Sequence, residues 1–303
     1  MTDERVDPRT LVCPSLSDDR DVSVRRHSSF GLLERTRSPP AAASQEALPA
    51  GFEYVAYAWP AEAGREDDCA PVLVRQRVEA SRVTLAEFSV AQSSGVDNTG
   101  NVCLWPAEEV LAWYCCRGAA SDAARWAGKR VLELGAGVGV AAFLLARAQP
   151  GIDSLLVTDG NPLVAETLAH NVAALGDERV AARELRWDRS ASFDDFGPRS
   201  FDVILGADCL FFRDYHIDLL HTLDALLADD GLVLFIAPER PPTLDLFLAH
   251  ADASAKWNVT VTRDAYDATI WAKHERLVAA GDTGAYDPAI HYPLRIEMQR
   301  RAS

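Results

Sequence analysis

From Arg130 onward the chain alternates short apolar runs with amphipathic segments, and this alternation limits the fold more than any other feature. Four runs have the length and composition of buried strands: RVLEL, SLLVTD, FDVILGAD and GLVLFIAP. Segments with helical spacing lie between and after them: AAFLLARA, PLVAETLAHNVAAL, YHIDLLHTLDALLA and TLDLFLAHA. This order indicates βαβ units, so we predict an α/β domain with a mostly parallel sheet covered on both faces.

Weaker segments complete this organisation. RVAARELRW adds a strand, and WNVTVTRDA with PLRIEMQ can end the sheet. Upstream, FEYVAYAW, PVLVRQRVEA and RVTLAEFSV alternate with period two, which predicts antiparallel strands. A helix is expected from Ala107 to Arg125, with Pro106 at its start. We therefore predict a flexible N-terminal segment over 1–50, a β-rich extension over 51–105 and the main domain over 106–303.

Charge and composition exclude several classes of partner. The chain has 30 basic and 45 acidic residues and a net charge of -15, whereas non-specific nucleic-acid binding needs clustered cations. The polar start MTDERVDPRT and the lack of a run of about 18 apolar residues predict no membrane segment. The six cysteines form no CxxC pair, so no metal site is expected. We expect a soluble monomer in the cytoplasm, with the nucleus as a second location.

The turn in VLELGAGVG has glycines at positions 135, 137 and 139. In a dinucleotide site the third glycine would stand at position 140, because the helix packs close to the strand while its N-terminus faces a pyrophosphate. That position is Val140. Glu133, which precedes the glycines, can interact with the ammonium group of an amino-acid moiety. The pattern favours a methyl donor without phosphates, and a plain structural turn is the alternative.

Polar residues at the ends of the next two predicted strands can complete this site. Asp159 lies about twenty residues beyond the glycines, where an acidic side chain accepts hydrogen bonds from both ribose hydroxyls. It can instead cap the helix that begins near Pro162, although Asn161 fills that role at least as well. Trp187 and Asp188 close the third strand, where an indole can stack on adenine and a carboxylate can accept from its amino group. Core packing is the alternative for Trp187.

The order of VLELGAGVG, LLVTDGN, LRWD and FDVILGADCLFF resembles the class I S-adenosylmethionine-dependent methyltransferases, in the seven-stranded branch that methylates protein lysines. Four flanking stretches resemble the calmodulin-lysine N-methyltransferases: VDNTGNVCLWPAEEVLAWYC, ADCLFF, RRHSSFGL and HYPLRIEM. The resemblance covers roughly residues 22–299, apart from the Pro/Ala linker and the loop over 61–69. It implies a Rossmann-like fold with a mostly parallel seven-stranded sheet, preceded by a small N-terminal β-rich extension.

The same resemblance implies a role for each candidate site residue. Gly135, Gly137 and Glu133 would contact the methionyl end of S-adenosylmethionine, Asp159 its ribose, and Trp187 and Asp188 its adenine, while Ala207 would line the pocket and Trp105 would close over the donor. An aromatic side chain that fastens the helix to the sheet is the alternative for Trp105. Asp208 and Phe211 match the acidic-x-x-aromatic motif at the active-site mouth.

These residue types suit methyl transfer to an amine, which needs alignment more than a strong acid or base. A lysine with a pKa near ~10.4 must lose a proton before it attacks. Asp208 can orient the ammonium, while Phe211 and Phe212 offer π faces to a methylated cation; helix capping and core packing are their alternatives. We expect trimethylation of one calmodulin lysine. A methyltransferase for another protein or a small molecule, or a donor-binding module without catalysis, are the other hypotheses.

A basic stretch near the N-terminus suggests a docking segment. Four arginines stand between positions 22 and 37 against the single acid Glu34. Calmodulin is strongly acidic, so such a stretch would offset the repulsion from this acidic chain. We predict that Arg25 and Arg26 pair with calmodulin carboxylates and that Phe30 enters an apolar groove. A disordered tail, or a segment that packs back on the domain, is the alternative.

Overall fold

The computed structural model describes residues 12–13, 23–24, 29–38, 48–60, 70–78, 104–118, 120–280 and 286–302. Near the N-terminus, β1 (Val12–Cys13) pairs with β2 (Ser23–Val24). Three antiparallel strands then form a small sheet: β3 (Glu34–Ser38), β4 (Phe52–Ala58) and β5 (Val72–Arg77). This sheet confirms the β-rich extension. Its first strand, β3, lies within the segment that we predicted to be flexible, and the predicted strand RVTLAEFSV lies outside the described residues.

Two helices replace the single helix predicted from Ala107 to Arg125. Helix α1 spans Pro106–Cys116 and helix α2 spans Ala123–Trp126. The chain leaves the first helix where the N–H groups of Arg117 and Gly118 both donate to the Trp113 carbonyl. Gly118 packs so closely against the carboxylate of Asp267 that a side chain there would collide with it. The prediction of one continuous helix was therefore wrong, and the chain turns at Gly118 beside a residue from a distant part of the sequence.

Seven strands build the main sheet: β6 (Arg130–Leu134), β7 (Ser154–Asp159), β8 (Val180–Glu184), β9 (Phe201–Ala207), β10 (Leu227–Pro238), β11 (Trp257–Thr262) and β12 (Pro293–Arg300). Their order is β11, β12, β10, β9, β6, β7, β8. The neighbouring strands from β10 to β8 are parallel, whereas β12 is antiparallel to β10 and β11. The predicted mostly parallel seven-stranded sheet is confirmed.

Six further α-helices accompany this sheet in the described ranges: α3 (Val140–Ala148), α4 (Pro162–Leu175), α5 (His216–Leu226), α6 (Thr243–Ala253), α7 (Ala268–Ala279) and α8 (Pro288–His291). The first four match the predicted helical segments, with ends that differ by two residues or fewer. Helices α7 and α8 were not predicted. No helix in the described part of the chain is long and apolar enough to cross a membrane.

The sheet centre is the core of the molecule. Val131 and Leu132 of β6 and Ile204 of β9 are fully buried, because α1 packs on α3 and on the β9 side of the sheet. Strand β5 of the small sheet contacts α3 and α4. Asn171 of α4 secures that contact, since its side chain accepts the N–H of Arg75 and donates to the carbonyls of Arg75 and Val138. The extension is thereby joined to the turn that follows β6.

The strand order reverses direction at the middle of the sheet. From β6 the chain moves outward through β7 and β8, and it then returns to β9 on the other side of β6. Connections leave the adjacent carboxyl ends of β6 and β9 in opposite directions, which opens a crevice there. The residues just after Leu134 and Ala207 therefore lie where a ligand is expected in this class of fold.

Candidate active site

The glycine turn after β6 forms one wall of the crevice. Gly135 has a φ of 61° and Gly139 has a φ of 85°, in the left-handed region that favours glycine. A Cβ on Gly135 would lie 3.3 Å from Cys209 Sγ and 3.5 Å from Trp187 Cζ2, so a side chain there would crowd the crevice. The Cys209 thiol contacts the Leu134 carbonyl at 3.1 Å and joins the ends of β6 and β9.

A carboxyl group of the chain itself occupies the N-terminus of α3. The N-cap residue Gly139 supplies no side-chain cap. Instead, Glu108 of α1 accepts the N–H of Val140 at 2.9 Å and that of Ala141 at 3.4 Å. A helix N-terminus is the usual position for a pyrophosphate in dinucleotide sites. Because Glu108 fills that position, the geometry favours a ligand without phosphates.

Glu133 is a buried carboxyl group that lacks a partner. Its side chain is fully buried, and neither oxygen has a hydrogen-bond partner within the described residues. Burial raises the pKa of Glu133 well above its ordinary value of 4.5, and the neighbouring Glu108 raises it further. The nearby Ala142 N–H opposes this rise, although it does not meet the geometry of a hydrogen bond. Burial also raises the pKa of Glu108 to about 8. An unpaired buried carboxyl is unfavourable, so an ammonium donor from a ligand would suit Glu133.

The sequence left open whether Asp159 or Asn161 caps the helix that begins at Pro162. Asn161 caps α4, because its side-chain oxygen accepts the Leu163 N–H at 2.9 Å. The carboxylate of Asp159 accepts the N–H of Gly137 at 3.2 Å and the N–H of Asn161 at 2.9 Å. These two contacts orient Asp159 beside the glycine turn. Its predicted contact with ribose remains a prediction.

Trp187 and Asp188 lie in the loop after β8, since this strand ends at Glu184 rather than continuing to Asp188 as predicted. The half-buried indole of Trp187 stands beside Gly135, which is the position expected for a ring that borders a ligand. Asp188 is exposed and accepts the N–H and the hydroxyl of Ser190 at 2.7 and 2.6 Å. These hydrogen bonds lower the pKa of Asp188. The adenine contacts remain predictions.

Two further predicted site residues flank the crevice. Ala207 is the half-buried last residue of β9. Trp105 is the N-cap residue of α1, and its carbonyl accepts the N–H groups of Glu108 and Glu109 at 3.0 and 3.3 Å. Because Glu108 reaches the N-terminus of α3, Trp105 lies at the end of α1 that faces the glycine turn. Their contacts with a donor also remain predictions.

Asp208 already has a cationic partner. The two terminal guanidinium nitrogens of Arg240 donate to its two carboxylate oxygens, and the Nη2 to Oδ2 distance is 2.6 Å. The Arg240 guanidinium also lies over the Phe211 ring, 5.1 Å from its centroid. Asp208 has a φ of 58°, which is uncommon outside glycine, and its N–H donates to the Ile236 carbonyl. The carboxylate and the aromatic face that we predicted for a lysine are thus both in contact with Arg240.

The two phenylalanines after Asp208 form an aromatic corner. The rings of Phe211 and Phe212 meet edge to face with centroids 4.7 Å apart, and Tyr215 contacts Phe212 at 6.2 Å. Both phenylalanines are only half-buried. The corner therefore has aromatic surface that the chain itself does not cover, and the predicted contact of Phe212 with a substrate remains a prediction.

The N-terminal segment packs back on the domain and corrects one prediction. Glu109 of α1 accepts the hydroxyl of Ser29 and the N–H groups of Phe30, Leu32 and Leu33. The Phe30 side chain is only 4% exposed and meets the Tyr286 ring edge to face at 6.2 Å. Phe30 therefore fills the core of its own chain, and its predicted insertion into a calmodulin groove was wrong. Arg25 and Arg26 lie outside the described residues.

Three side chains at or near the site were missed from the sequence. Arg240 lies two residues after the end of β10, and a charged residue at the end of a buried parallel strand is the same signal that pointed to Asp159. Glu108 and Glu109 resemble ordinary acidic residues in the first turn of a helix. Nothing local shows that each of them reaches a separate element. Within the described ranges there is no group of three or more residues that could hold a metal ion.

The comparisons with known proteins identify the family. Residues 86–253 match the family described as lysine methyltransferases. This chain belongs to the lysine methyltransferase family. A calmodulin-lysine N-methyltransferase from Arabidopsis thaliana is 35% identical over 222 residues, which cover 71% of this chain and 70% of that protein.

Two other relatives of this lysine methyltransferase have the same general activity in their names. Protein N-lysine methyltransferase METTL21A from Mus musculus is 31% identical over 43% of this chain and 57% of its own length. The Danio rerio protein of that name is 27% identical over 56% of this chain and 75% of its own length. The chain is accordingly a protein-lysine methyltransferase that uses S-adenosylmethionine. The unpartnered carboxyl of Glu133, the oriented Asp159 and the filled helix N-terminus all fit this phosphate-free donor.

Proposed function

We propose that this lysine methyltransferase trimethylates one lysine of calmodulin at the corner formed by Asp208, Phe211 and Phe212. The observation that supports calmodulin as the substrate is the 35% identity, over most of both chains, to a calmodulin-lysine N-methyltransferase. Relatives that carry another name match a smaller part of this chain. The proposal therefore depends on more than the donor-binding core, which lysine methyltransferases with different substrates share.

The chain's own residues divide the work between the two sides of the crevice. Glu133, Gly135 and Gly137 would hold the methionyl end of S-adenosylmethionine, which supplies the methyl group when bound. Asp159 would hold the ribose, while Trp187 and Asp188 would border the adenine and Ala207 and Trp105 would close the pocket. On the substrate side, Phe211 and Phe212 would flank the lysine stem and Asp208 would align its nitrogen. Alignment of this kind supplies much of the rate of a displacement reaction.

Docking of calmodulin would involve the residues that precede the segment held by Glu109. Arg25 and Arg26 stand just before Ser29, whose hydroxyl donates to Glu109 at 2.9 Å. Lys273 of α7 also donates to the Gly31 carbonyl at 2.6 Å, so residues 29–33 have a fixed position on the domain. In this proposal Arg25 and Arg26 pair with calmodulin carboxylates, and Phe30 contributes only by anchoring the segment.

A transfer assay separates the hypotheses. The protein is incubated with donor labelled on its methyl group and with purified calmodulin, and the labelled residue is located by mass spectrometry. Label on one calmodulin lysine, progressing to three methyl groups, is the expected result. If label appears only when another protein or a small molecule is supplied, that molecule is the substrate and calmodulin is not. Bound donor without any transfer would make the chain a binding module.

A further inference from the structure

The pair formed by Arg240 and Asp208 is built into the wall of the active-site corner. The side chains of Arg240 and Asp208 are 10% and 15% exposed, so the pair is largely shielded from water. Both terminal guanidinium nitrogens are engaged by the carboxylate, and the central carbon of the same group lies over the Phe211 ring. An incoming ammonium offers a point charge and cannot reproduce this two-pronged, stacked arrangement. Arg240 is therefore not readily displaced by a substrate lysine.

The backbone also holds Arg240 in place. Its N–H donates to the Ala289 carbonyl of α8 at 2.9 Å, and its carbonyl accepts the Thr243 N–H at the start of α6 at 2.7 Å. Its φ of 39° is uncommon for a residue with a side chain. Strained backbone of this kind persists where the surrounding structure fixes it, and it is concentrated at functional sites.

We propose that Arg240 is a positioning residue that neutralises Asp208, so that the corner accepts the uncharged lysine amine in preference to the ammonium. The inference deepens the proposed function and depends on the lysine binding at this corner. A lone carboxylate beside a lysine favours the charged form, which cannot attack a methyl group. With the guanidinium bound, the pair has no net charge, and the remaining lone pairs of Asp208 can accept an N–H of the neutral amine. The proton leaves to water before the amine enters.

Other ionisable groups on the surrounding elements do not duplicate this effect. They include Cys209, Arg213, Asp214 and His216 after β9, Glu239 and Arg263 beside the Arg240 loop, Asp287 and His291 at the two ends of α8, and Glu133 and Asp159 across the crevice. Burial raises the pKa of the Cys209 thiol well above 9 and lowers the pKa of His216, so both are neutral in mildly alkaline solution. Glu239 pairs with Arg263 at 3.0 Å, and the Asp287 carboxylate caps α8 by accepting the Ala289 N–H at 2.9 Å.

The first test is the pH profile of turnover on calmodulin. The kcat profile reports groups in the enzyme–substrate complex, so it follows the bound lysine. Arg240→Gln should raise the apparent pKa of the acidic limb of this profile by at least about one pH unit. As a result, kcat near pH 8 should fall at least about tenfold. Turnover should recover as the pH is raised, and KM should stay constant or fall because the ammonium now binds. Adding Asp208→Asn to this variant should return the limb close to its original position.

Arg263→Gln is the matched control, because it removes an arginine from a partly exposed ion pair with Glu239 in the same region. Its profile should equal that of the unmodified protein. Arg240→Lys keeps the positive charge, so its acidic limb should move less far from the position in the unmodified protein than that of Arg240→Gln. A loss of turnover in Arg240→Gln that is equal at every pH would show a merely structural role and overturn the proposal.

A second measurement does not depend on calmodulin or on turnover. The probe is n-butylamine, a mimic of the lysine side chain, added to the protein loaded with S-adenosylhomocysteine, with binding followed by NMR at the phenylalanine rings. Binding to the unmodified protein should strengthen as the pH rises and the probe loses its proton. Stronger binding at low pH would overturn the proposal, even if Arg240→Gln failed to fold. Absence of transfer to calmodulin, with the expected n-butylamine result, would reject only the calmodulin assignment.

Discussion

Asp159 is the residue whose role in donor binding is most directly testable. Two backbone N–H groups orient its carboxylate beside the glycine turn. If it holds the ribose through two charge-assisted hydrogen bonds, Asp159→Ala should weaken S-adenosylmethionine binding by roughly 2–4 kcal/mol. Isothermal calorimetry without calmodulin measures this loss directly. The matched control is Asp153→Ala, an exposed residue just before the other end of β7. If the affinity of Asp159→Ala equals that of the control, Asp159 is not in the site.

Glu109 illustrates how one side chain can hold a whole segment. Its oxygens accept three backbone N–H groups from Phe30, Leu32 and Leu33. In Glu109→Gln the amide NH₂ group replaces one of the two oxygens. Whichever way the amide is turned, this NH₂ group faces at least one of the three backbone N–H donors and cannot accept from it. We expect the free energy of unfolding to fall by about 3 kcal/mol, since buried donors lose a charged acceptor. Urea unfolding measures the loss, and amide hydrogen exchange should accelerate over residues 30–33.

The control for Glu109 is Glu166→Gln, which changes an exposed carboxylate on α4 in the same way. This variant should unfold within about 0.5 kcal/mol of the unmodified protein. Unchanged hydrogen exchange over residues 30–33 in Glu109→Gln would mean that apolar burial alone holds the segment. In that case Phe30 and its neighbours, and not the carboxylate, fix the start of the docking region.

At the level of elements, the contact between α1 and α3 makes stability depend on pH. Burial raises the pKa of Glu108 to about 8, against an ordinary value of 4.5. The folded state therefore keeps a proton that the unfolded chain releases between these pH values. It follows that the free energy of unfolding falls as the pH rises from about 4.5 to about 8. The raised pKa of Glu133 acts in the same direction.

Glu108→Gln should flatten this pH dependence, because the amide oxygen can still accept the Val140 N–H without ionising. At pH 8 we expect the variant to be more stable than the unmodified protein by on the order of 2 kcal/mol. Urea unfolding at a series of pH values measures the slope. Glu178→Gln, at an exposed position, is the control. An unchanged slope in Glu108→Gln would show that another group causes the pH dependence.

The strands and helices were predictable where the pattern is local and strong. The run PLVAETLAHNVAAL coincides with α4, because Asn161 caps it, Pro162 begins it and Gly176 ends it. After α1 the chain turns at Gly118 against Asp267, about 150 positions away, and no local signal shows this contact. Helix α7 had a usable signal that was overlooked: Asp267 is a capping residue, and apolar residues follow at helical spacing.

The site was predictable to the extent that it follows strand ends. Asp159 was predicted because parallel strands carry their ligand-binding residues at the carboxyl edge, whereas Ala207 and Asp208 were predicted from the resemblance to the methyltransferase family. The sequence could not show that Arg240 pairs with Asp208, since the pairing depends on the geometry of two separate loops. The prediction that Phe30 enters a calmodulin groove was wrong for a related reason. An aromatic residue beside arginines suits an interface and a core equally well, and burial alone decides between them.

For the molecule as a whole, a net charge of -15 opposes association with an acidic partner. Reversal of Arg25 and Arg26 to Glu should slow the association with calmodulin, make binding less sensitive to salt and leave donor affinity unchanged. Stopped-flow measurements at several salt concentrations test this, and Arg186→Glu, at an exposed position after β8, is a control. If the doubly reversed protein methylates calmodulin at the unmodified rate under subsaturating substrate and low salt, this stretch is not the docking site.

The central claim is that donor binding and methyl transfer occupy two sides of one crevice, with Asp208 on the transfer side. Asp208→Asn keeps the shape of the side chain and removes its charge, and Asp214→Asn changes an exposed carboxylate nearby. The decisive measurement compares kcat on calmodulin with the dissociation constant for S-adenosylmethionine in both variants. We predict that Asp208→Asn lowers kcat about 100-fold or more and changes donor affinity less than about threefold, as expected for a group acting in the transition state. Equal losses in turnover and donor affinity would contradict the account.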